Sequence, residues 1–193
     1  MLSLLRPALA SVGLFTLLLG LAYPLAITGV AQAAFPQQAD GSLIVRDGRI
    51  VGSALVGQAF TSARYLQGRP SAVDYDATGS GASNLGPLNP DLIAETSERA
   101  GAWRAGTGSD NVPADAVTAS ASGLDPHISP VNALAQARRI AETRAAHIDQ
   151  VRAVIANHVE GRTFGVLGQP RVNVLQTNLA LDAAFAPEQP APQ

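Results

Sequence analysis

Residues 8–35 read ALASVGLFTLLLGLAYPLAITGVAQAAF, and this stretch decides how the rest of the chain is arranged. Arg6 is the last charged residue before it, and Asp40 is the first one after it. A helix needs about 20 mostly apolar residues to cross a bilayer, at about 1.5 Å per residue, and this run is longer than that. A buried core helix rarely runs so far without a charge. The sequence therefore predicts a membrane-spanning helix within residues 1–34.

A cleavable signal peptide is the alternative interpretation of this stretch. Ala31-Gln32-Ala33 has the small-x-small pattern of a signal-peptidase site, and Arg6 would be its short basic region. The apolar run exceeds the ~7–15 residues of a signal-peptide core, which favours a retained anchor. Because positively charged flanks stay in the cytoplasm, we expect a single-pass membrane protein with a cytoplasmic N-terminus and its bulk outside the cytoplasm.

Thr16 and Gly20 form a candidate helix-packing face within the predicted span. They are four residues apart, so they lie on one side of the helix. Small residues at this spacing let a second helix approach closely. Glycine and threonine are also common in membrane helices that have no such partner, and the sequence leaves both interpretations open.

The composition excludes several kinds of chemistry. The chain has a formal net charge of −2, which gives no sign of a basic nucleic-acid footprint. Lysine is absent, so there is no P-loop lysine, Schiff-base lysine or lysine general base. Cysteine is absent too, which excludes disulfides, thiolate chemistry and zinc–cysteine sites.

We predict an α+β fold in which one domain, residues 35–185, follows the membrane helix and contains a small β-sheet and several helices. A Pro/Gln-rich tail, residues 186–193, is predicted to be disordered. Asp47-Gly48 predicts a hairpin between residues 42–45 and 49–58.

Two further signals predict where helices begin. Asn89-Pro90 predicts a helix that runs to about residue 105 and ends at Gly106. Ser129-Pro130 begins the longest helical pattern, which breaks near His147, runs towards His158 and is capped by Gly161. The last elements, residues 164–167 and 171–181, are predicted as strands of the same small sheet.

The stretch VTASASGLDPHISP, residues 117–130, brings serine, histidine and aspartate together. A hydrolase would use Ser120 or Ser122 as nucleophile, His127 as base and Asp125 to orient it. The stretch lacks a nucleophile elbow such as G-x-S-x-G. In the structural interpretation, Ser129 caps the following helix and Asp125 closes an Asx-turn. We favour that interpretation and keep a membrane-anchored hydrolase as the alternative function.

Metal and phosphate sites are both disfavoured. On one continuous helix His147 and His158 would lie roughly 16 Å apart, too far to share an ion. The glycine-rich loop at residues 78–86 has backbone amides that could bind an anion. The helix that follows it opens with Asp91 and Glu95, which would repel phosphate.

Several of these stretches together resemble the C subunit of the bacterial Kdp potassium-transporting ATPase. The resemblance runs from the anchor to about residue 182. Ala82 departs from the family pattern, which more often has a second glycine there. The matching motifs are Gly57-Gln-x-Phe60, Tyr65-x-x-Gly-Arg-Pro-Ser-Ala72, Ser80-Gly-x-Ser-Asn-Leu-Gly-Pro-x-Asn-Pro90, Val117-Thr-x-Ser-Ala-Ser-Gly-Leu-Asp-Pro-His-Ile-Ser-Pro130 and Pro170-Arg-Val-Asn-Val-Leu-x-x-Asn178.

The resemblance implies an accessory, non-catalytic subunit of a high-affinity, ATP-driven potassium uptake pump. Its implied partners are a channel-like potassium-translocating subunit, a P-type ATP-hydrolysing subunit and a small membrane subunit. The family is described as a chaperone-like helper that raises the ATP affinity of the hydrolysing subunit. ATP binding is implied by the resemblance alone, and it conflicts with a domain outside the cytoplasm.

The motif residues are candidates for contacts with partner subunits, because turn-rich segments often carry recognition on a rigid scaffold. They are equally candidates for buried connections whose polar groups satisfy the backbone. The candidate residues are Gly68, Arg69, Pro70, Ser71, Asn84, Ser120, Ser122, Asp125, His127, Ser129, Arg171 and Asn173.

Overall fold

The computed structural model describes residues 2–185, so the predicted disordered tail lies outside the described residues. The chain divides into two compact units, Met1–Ser53 and Ala54–Gln193, which we call the N-terminal and the C-terminal unit. The mixture of helices and small antiparallel sheets confirms the predicted α+β class.

The N-terminal unit begins with a long apolar helix. The segment Leu4–Ala34 spans 31 residues, contains no buried residue, and is long and apolar enough to cross a membrane. At about 1.5 Å per residue it measures about 46 Å, which exceeds the ~30 Å hydrocarbon core of a bilayer. It consists of α1 (Leu2–Leu17), a π-helical turn (Leu18–Ala22) and α2 (Tyr23–Ala34).

The π-helical turn lies directly before Pro24. Proline has no backbone N–H, so the regular i→i−4 hydrogen bond at this position cannot form. The N–H of Tyr23 donates instead to the carbonyl of Leu18, five residues back. One turn earlier, a Cβ placed on Gly20 would lie 4.0 Å from Cγ2 of Thr16. Thr16 and Gly20 therefore lie on the same side of the helix, and the packing of a second helix there stays a prediction.

The predicted hairpin is confirmed and completes this unit after the short helix α3 (Pro36–Ala39). Strands β1 (Leu43–Arg46) and β2 (Arg49–Ser53) pair antiparallel. Asp47 and Gly48 both have positive φ, 51° and 73°, as this turn requires. The second strand ends at Ser53, short of the predicted end at residue 58.

In the C-terminal unit, α4 (Pro90–Thr107) and α5 (Ala114–Val117) come first. The side chain of Asn89 accepts a hydrogen bond from the N–H of Asp91, which confirms the predicted N-cap. The helix ends later than predicted: Gly106 is helical, and Gly108, with φ of 68°, occupies the left-handed capping position.

The long helical pattern forms three helices, α6 (Pro130–Ala135), α7 (Ala137–Thr143) and α8 (Ile148–Asn157). The predicted start at Ser129-Pro130 and the break near His147 are confirmed. The predicted run towards His158 is confirmed, but the predicted cap at Gly161 is wrong. The helix ends at His158 because the chain turns there into strand β4 (Val159–Glu160).

The predicted last two strands are largely wrong. Residues 164–167 form a turn closed by an isolated bridge between Thr163 and Leu167. Only Arg171–Asn173 is a strand, β5, because Asn173 caps helix α9 (Val174–Ala184). The strands β3 (His127–Ile128), β5 and β4 form a three-stranded antiparallel sheet with β5 in the centre. The hairpin β1–β2 is a separate sheet, so the two groups of strands do not form the single sheet that was predicted.

The hydrophobic core of the C-terminal unit lies between the three-stranded sheet and helices α6 to α9. Aliphatic side chains build it, as the low aromatic content requires. Its buried members are Leu66, Ile128, Ala133, Ala137, Ile140, Ala141, Val151, Ile155, Val172, Val174 and Leu181.

Candidate functional site

Two distant loops of the C-terminal unit, residues 67–81 and 118–125, pack against each other and form what we call the loop cluster. Ser71 Oγ donates to the carbonyl of Gly123 at 2.7 Å. The N–H of Ser120 donates to the carbonyl of Pro70 at 3.0 Å, and that of Gly81 to the carbonyl of Ser122 at 2.9 Å. Two of the motifs that carry the resemblance, residues 65–72 and 117–130, therefore contact each other directly.

An ion pair joins the two loops at the centre of the cluster. Arg69 Nη1 lies 3.2 Å from Asp125 Oδ2, and both side chains are partly buried. Arg69 Nη2 also donates to the carbonyls of Thr118 and Ala119 at 3.4 and 3.3 Å. The arginine thus neutralises a carboxylate and satisfies two loop carbonyls, which fixes the position of the two loops relative to each other.

The cluster shifts the acidity of two of its members. Burial opposes ionisation of Asp125, but hydrogen bonds from His127 and Arg69 and the charge of Arg69 outweigh it, so the pKa lies below its ordinary value of 3.8. Burial, followed by the negative charge of Asp125, raises the pKa of Tyr75. At neutral pH Tyr75 is therefore a phenol, and it donates to the carbonyl of Arg69 at 2.6 Å.

Two glycines allow the loops to approach this closely. Gly123 has a φ of +69°, and a Cβ there would lie 2.8 Å from the carbonyl oxygen of Gly81 and closer still to the side chain of Val73. A Cβ on Gly68 would collide with the hydroxyl of Tyr75. Both positions need a residue without a side chain, for conformational reasons at Gly123 and for space at both.

The serines of the hydrolase hypothesis serve the loop backbone. Ser120 Oγ accepts from the N–H of Gly123 at 2.8 Å, and Ser122 Oγ accepts from the N–H of Leu124 at 3.1 Å. His127 Nδ1 lies 3.7 Å from Asp125 Oδ1. Within residues 2–185, no hydrogen bond joins either serine to His127. The geometry therefore gives the hydrolase alternative no support.

The predicted structural roles of Asp125 and Ser129 are confirmed. Asp125 Oδ1 accepts from the N–H of His127 at 3.0 Å, which closes an Asx-turn. Ser129 Oγ accepts from the N–H of Asn132 at 3.1 Å and so caps α6. Asp115, which the sequence analysis did not single out, accepts hydrogen bonds from the N–H and Oγ of Ser129 at 2.7 and 3.0 Å.

The remaining candidate residues lie outside the loop cluster. Arg171 Nη2 pairs with Glu160 Oε2 at 2.8 Å across strands β4 and β5. Asn173 accepts from the N–H of Gln176 at 3.1 Å, and its Nδ2 donates to the carbonyl of Ala54 at 2.8 Å. Asn84 is exposed, has a φ of 53° and donates to the carbonyl of Ala82. The structure thus does not bring all the candidate residues into one site.

Two buried amide side chains to which sequence reasoning gave no role hold the segment where the loop cluster begins. Asn178 accepts from the N–H of Leu66 at 2.7 Å and donates to its carbonyl at 3.0 Å. Gln136 does the same for Gln67, at 2.9 and 3.1 Å. We call these contacts the amide bridges. Asn132 and Gln136, polar residues four positions apart between the apolar residues of the helical pattern, were the available signal.

The family model described as K+-transporting ATPase, c chain (KdpC) matches residues 5–183. The chain belongs to the KdpC family. Relatives described as potassium-transporting ATPase KdpC subunits are similar to it along nearly its whole length. The one from Caulobacter vibrioides (strain NA1000 / CB15N) is 58% identical over 190 residues, which cover 97% of this chain and 96% of the relative.

Two further KdpC relatives show the same extent of similarity. The one from Cereibacter sphaeroides (strain ATCC 17029 / ATH 2.4.9) is 56% identical over 186 residues, covering 96% of this chain and 100% of the relative. The one from Beijerinckia indica is 53% identical over 194 residues, covering 98% of each. The family assignment therefore includes both the apolar helix and the C-terminal unit.

The ATP implied by the KdpC resemblance does not fit the glycine-rich loop at residues 78–86. A cavity of about 650 Å³ opens beside this loop, and its lining includes the carboxylates of Asp91, Glu95 and Glu98. Among the described residues that line it, Arg99 supplies the guanidinium, which is bound to Glu95 at 2.8 Å. Carboxylates repel phosphate, and the chain has no lysine to offset them.

A second cavity of about 410 Å³ is lined by Arg69, Arg99, Arg139 and Trp103. The protein itself uses these cations: Arg69 pairs with Asp125 and Arg99 with Glu95. Arg139 donates to the carbonyl of Tyr65 and to Gln136 Oε1. Metal ligands are not grouped either, since no three His, Asp or Glu residues of the described part of the chain could hold an ion.

Proposed function

We propose that this chain is an accessory, non-catalytic subunit of an ATP-driven potassium uptake pump. The observation that carries the proposal is the match to the KdpC family over residues 5–183, together with relatives of the same length described as KdpC subunits of a potassium-transporting ATPase. The roles of Ser120, Ser122 and His127 support it, because they stabilise loops and form no catalytic arrangement among the described residues.

The proposed partners are the other subunits of the pump: a channel-like potassium-translocating subunit, a P-type ATP-hydrolysing subunit and a small membrane subunit. In this proposal the helix Leu4–Ala34 anchors the chain in the inner membrane, with Arg6 and the N-terminus in the cytoplasm. The C-terminal unit then lies outside the cytoplasm. It contacts the outer face of the potassium-translocating subunit and stabilises the route by which ions enter.

This orientation separates the C-terminal unit from cytoplasmic ATP. The acidic lining of the cavity beside residues 78–86 agrees with that separation. An accessory role on the potassium side therefore accounts for the chemistry of the chain better than direct nucleotide binding does.

The orientation has a direct test, because the chain contains no cysteine. Leu88 is 89% exposed, so Leu88→Cys introduces one accessible thiol without disturbing the core. We expect a membrane-impermeant maleimide to label it in cells whose inner membrane is intact. Labelling that requires permeabilisation of the inner membrane would contradict the proposed orientation.

The function is tested by removing residues 54–185 while keeping the anchor and hairpin. We expect the shortened chain to lose either co-purification with the other pump subunits or high-affinity potassium uptake. The control is the full-length chain expressed at the same level from the same promoter. Unchanged assembly and unchanged potassium affinity in the shortened form would refute the proposal.

A further inference from the structure

A turn at residues 163–167 presents three large apolar side chains to solvent. Phe164 is 89% exposed, Val166 is 72% exposed and Leu167 is 58% exposed. We call these three side chains the apolar tip. Exposed apolar side chains that stand singly are ordinary, but three within four residues form a patch that favours a binding partner.

The backbone holds the apolar tip in one shape. The N–H of Thr163 donates to the carbonyl of Leu167 at 2.9 Å, and the N–H of Leu167 donates back at 3.0 Å. The N–H of Gly165 also donates to the carbonyl of Arg162 at 3.0 Å. Phe164 has a φ of 53°, which is uncommon for a side chain of this size. A shape fixed before binding lowers the conformational entropy lost on binding.

The charges beside the tip argue against a lipid surface as its partner. Segments that bind membranes usually surround their apolar side chains with several basic residues, which attract anionic headgroups. Here Arg162 is the nearest cation along the chain, and it donates to Gln169 at 3.1 Å. The next charges, Glu160 and Arg171, neutralise each other at 2.8 Å. A small, rigid and nearly uncharged tip matches an apolar pocket on a protein.

We propose that Phe164, Val166 and Leu167 insert into an apolar pocket on another subunit of the pump. This inference rests on the proposed function, and it names the part of the chain that docks. Aromatic residues in desolvated pockets often dominate the free energy of an interface. Phe164, the largest and most exposed of the three, is therefore the expected anchor of the contact.

The test uses two single-cysteine variants of the full chain, Phe164→Cys and Leu88→Cys. The two positions are matched, since both side chains are 89% exposed and the chain has no other cysteine. Each variant is placed in lipid nanodiscs twice, once alone and once in the complete pump complex. The rate of maleimide labelling at the introduced cysteine is then measured by mass spectrometry of this chain.

We expect the complex to slow labelling at position 164 by about tenfold, because the core of an interface excludes water and reagent. Labelling at position 88 should be nearly the same in both samples. Failure of Phe164→Cys to assemble, while Leu88→Cys assembles normally, would also support the inference. Two results would overturn it: equal labelling at position 164 in both samples, or protection already present in the chain alone, which would indicate the bilayer.

The same samples separate this inference from the function on which it rests. If the Leu88→Cys chain does not co-purify with any pump subunit, the proposed function fails. If both variants assemble and position 164 remains freely labelled in the complex, only the docking role of the apolar tip fails.

Discussion

Leu66 and Asn178 lie 112 positions apart in the sequence. The side chain of Asn178 nevertheless pairs with the backbone of Leu66 as a neighbouring strand would. Asn178 both accepts from and donates to the backbone of Leu66, and Gln136 does the same for Gln67. Leu66 is fully buried, so its peptide groups cannot reach water. Because an unpaired buried peptide group is costly, the amide bridges allow an irregular segment to enter the core.

Replacing Asn178 by alanine tests this role. The change leaves the N–H and the carbonyl of Leu66 unpaired in the core. We expect the free energy of unfolding to fall by about 2–4 kcal/mol, measured by denaturant titration of the full chain in detergent. Asn157→Ala is the matched control, because Asn157 is exposed at the end of α8, and its effect should be small. Similar losses in both variants would show that the amide bridge is unimportant.

The lowered pKa of Asp125 predicts a dependence of stability on pH. A carboxyl whose pKa is lower in the folded than in the unfolded protein stabilises the fold above its unfolded value, here 3.8. That contribution is lost as the pH falls below 3.8 and through the folded pKa. We expect Asp125→Asn to be less stable than the wild type at about pH 6 and to show a smaller loss on acidification. Thermal unfolding at about pH 6 and about pH 3 measures both, and parallel curves for the two proteins would contradict the prediction.

At the scale of elements, the sequence predicts well where a few neighbouring residues determine the conformation. Asp47-Gly48 gives the hairpin, Asn89 begins α4 and Ser129 begins α6, because each uses turn or capping chemistry between near neighbours. Residues 171–181 were predicted as a strand. The capping asparagine inside it, Asn173, turns most of the run into helix α9.

The candidate site could likewise be predicted only where a sequence motif marks its residues. Sequence reasoning selected Arg69, Ser71 and Asp125 through motif resemblance, and the structure brings all three into the loop cluster. It missed Gln136 and did not assign a role to Asn178, because their partners are backbone groups that no sequence pattern marks. The docking of a partner subunit on the loop cluster stays a prediction. The polar groups of the cluster mostly bind each other, which agrees with a structural role.

The Thr16–Gly20 face of the anchor supports a prediction of its own. We expect Gly20→Leu to weaken co-purification of the chain with the other membrane subunits, because the larger side chain keeps a second helix at a distance. Gly29→Leu, the same change nine residues further along the span, is the control. Equal assembly of both variants would remove the packing role and leave the anchor as a simple tether.

At the scale of the whole molecule, the C-terminal unit is held together without disulfides. Polar contacts between distant residues take their place, as in the contacts of Arg144, whose side chain is 1% exposed. Its guanidinium pairs with Asp182 at 2.9 Å and donates to the carbonyls of Arg64 and Leu181. Through Arg144, helix α9 is therefore joined to the segment around Arg64, near the beginning of the unit.

Truncation of the chain tests this dependence on α9. Removing residues 174–193 deletes Leu181, Asn178 and Asp182, and with them a buried core residue, an amide bridge and the partner of Arg144. We expect the shortened C-terminal unit to be degraded rapidly by added protease. Removing residues 186–193 alone should leave resistance unchanged, and comparable resistance of the two truncated chains would contradict the prediction.

The amide bridge between Leu66 and Asn178 has a consequence for biogenesis. A ribosome adds about 5–20 residues per second, so the 112 positions that separate the two residues take roughly 6–22 seconds to make. Throughout that interval Leu66 has been synthesised and its partner has not. Until α9 follows, the backbone of Leu66 lacks the side chain with which it pairs in the fold. The burial of Leu66 with its peptide groups paired is consequently a late event in the making of this chain.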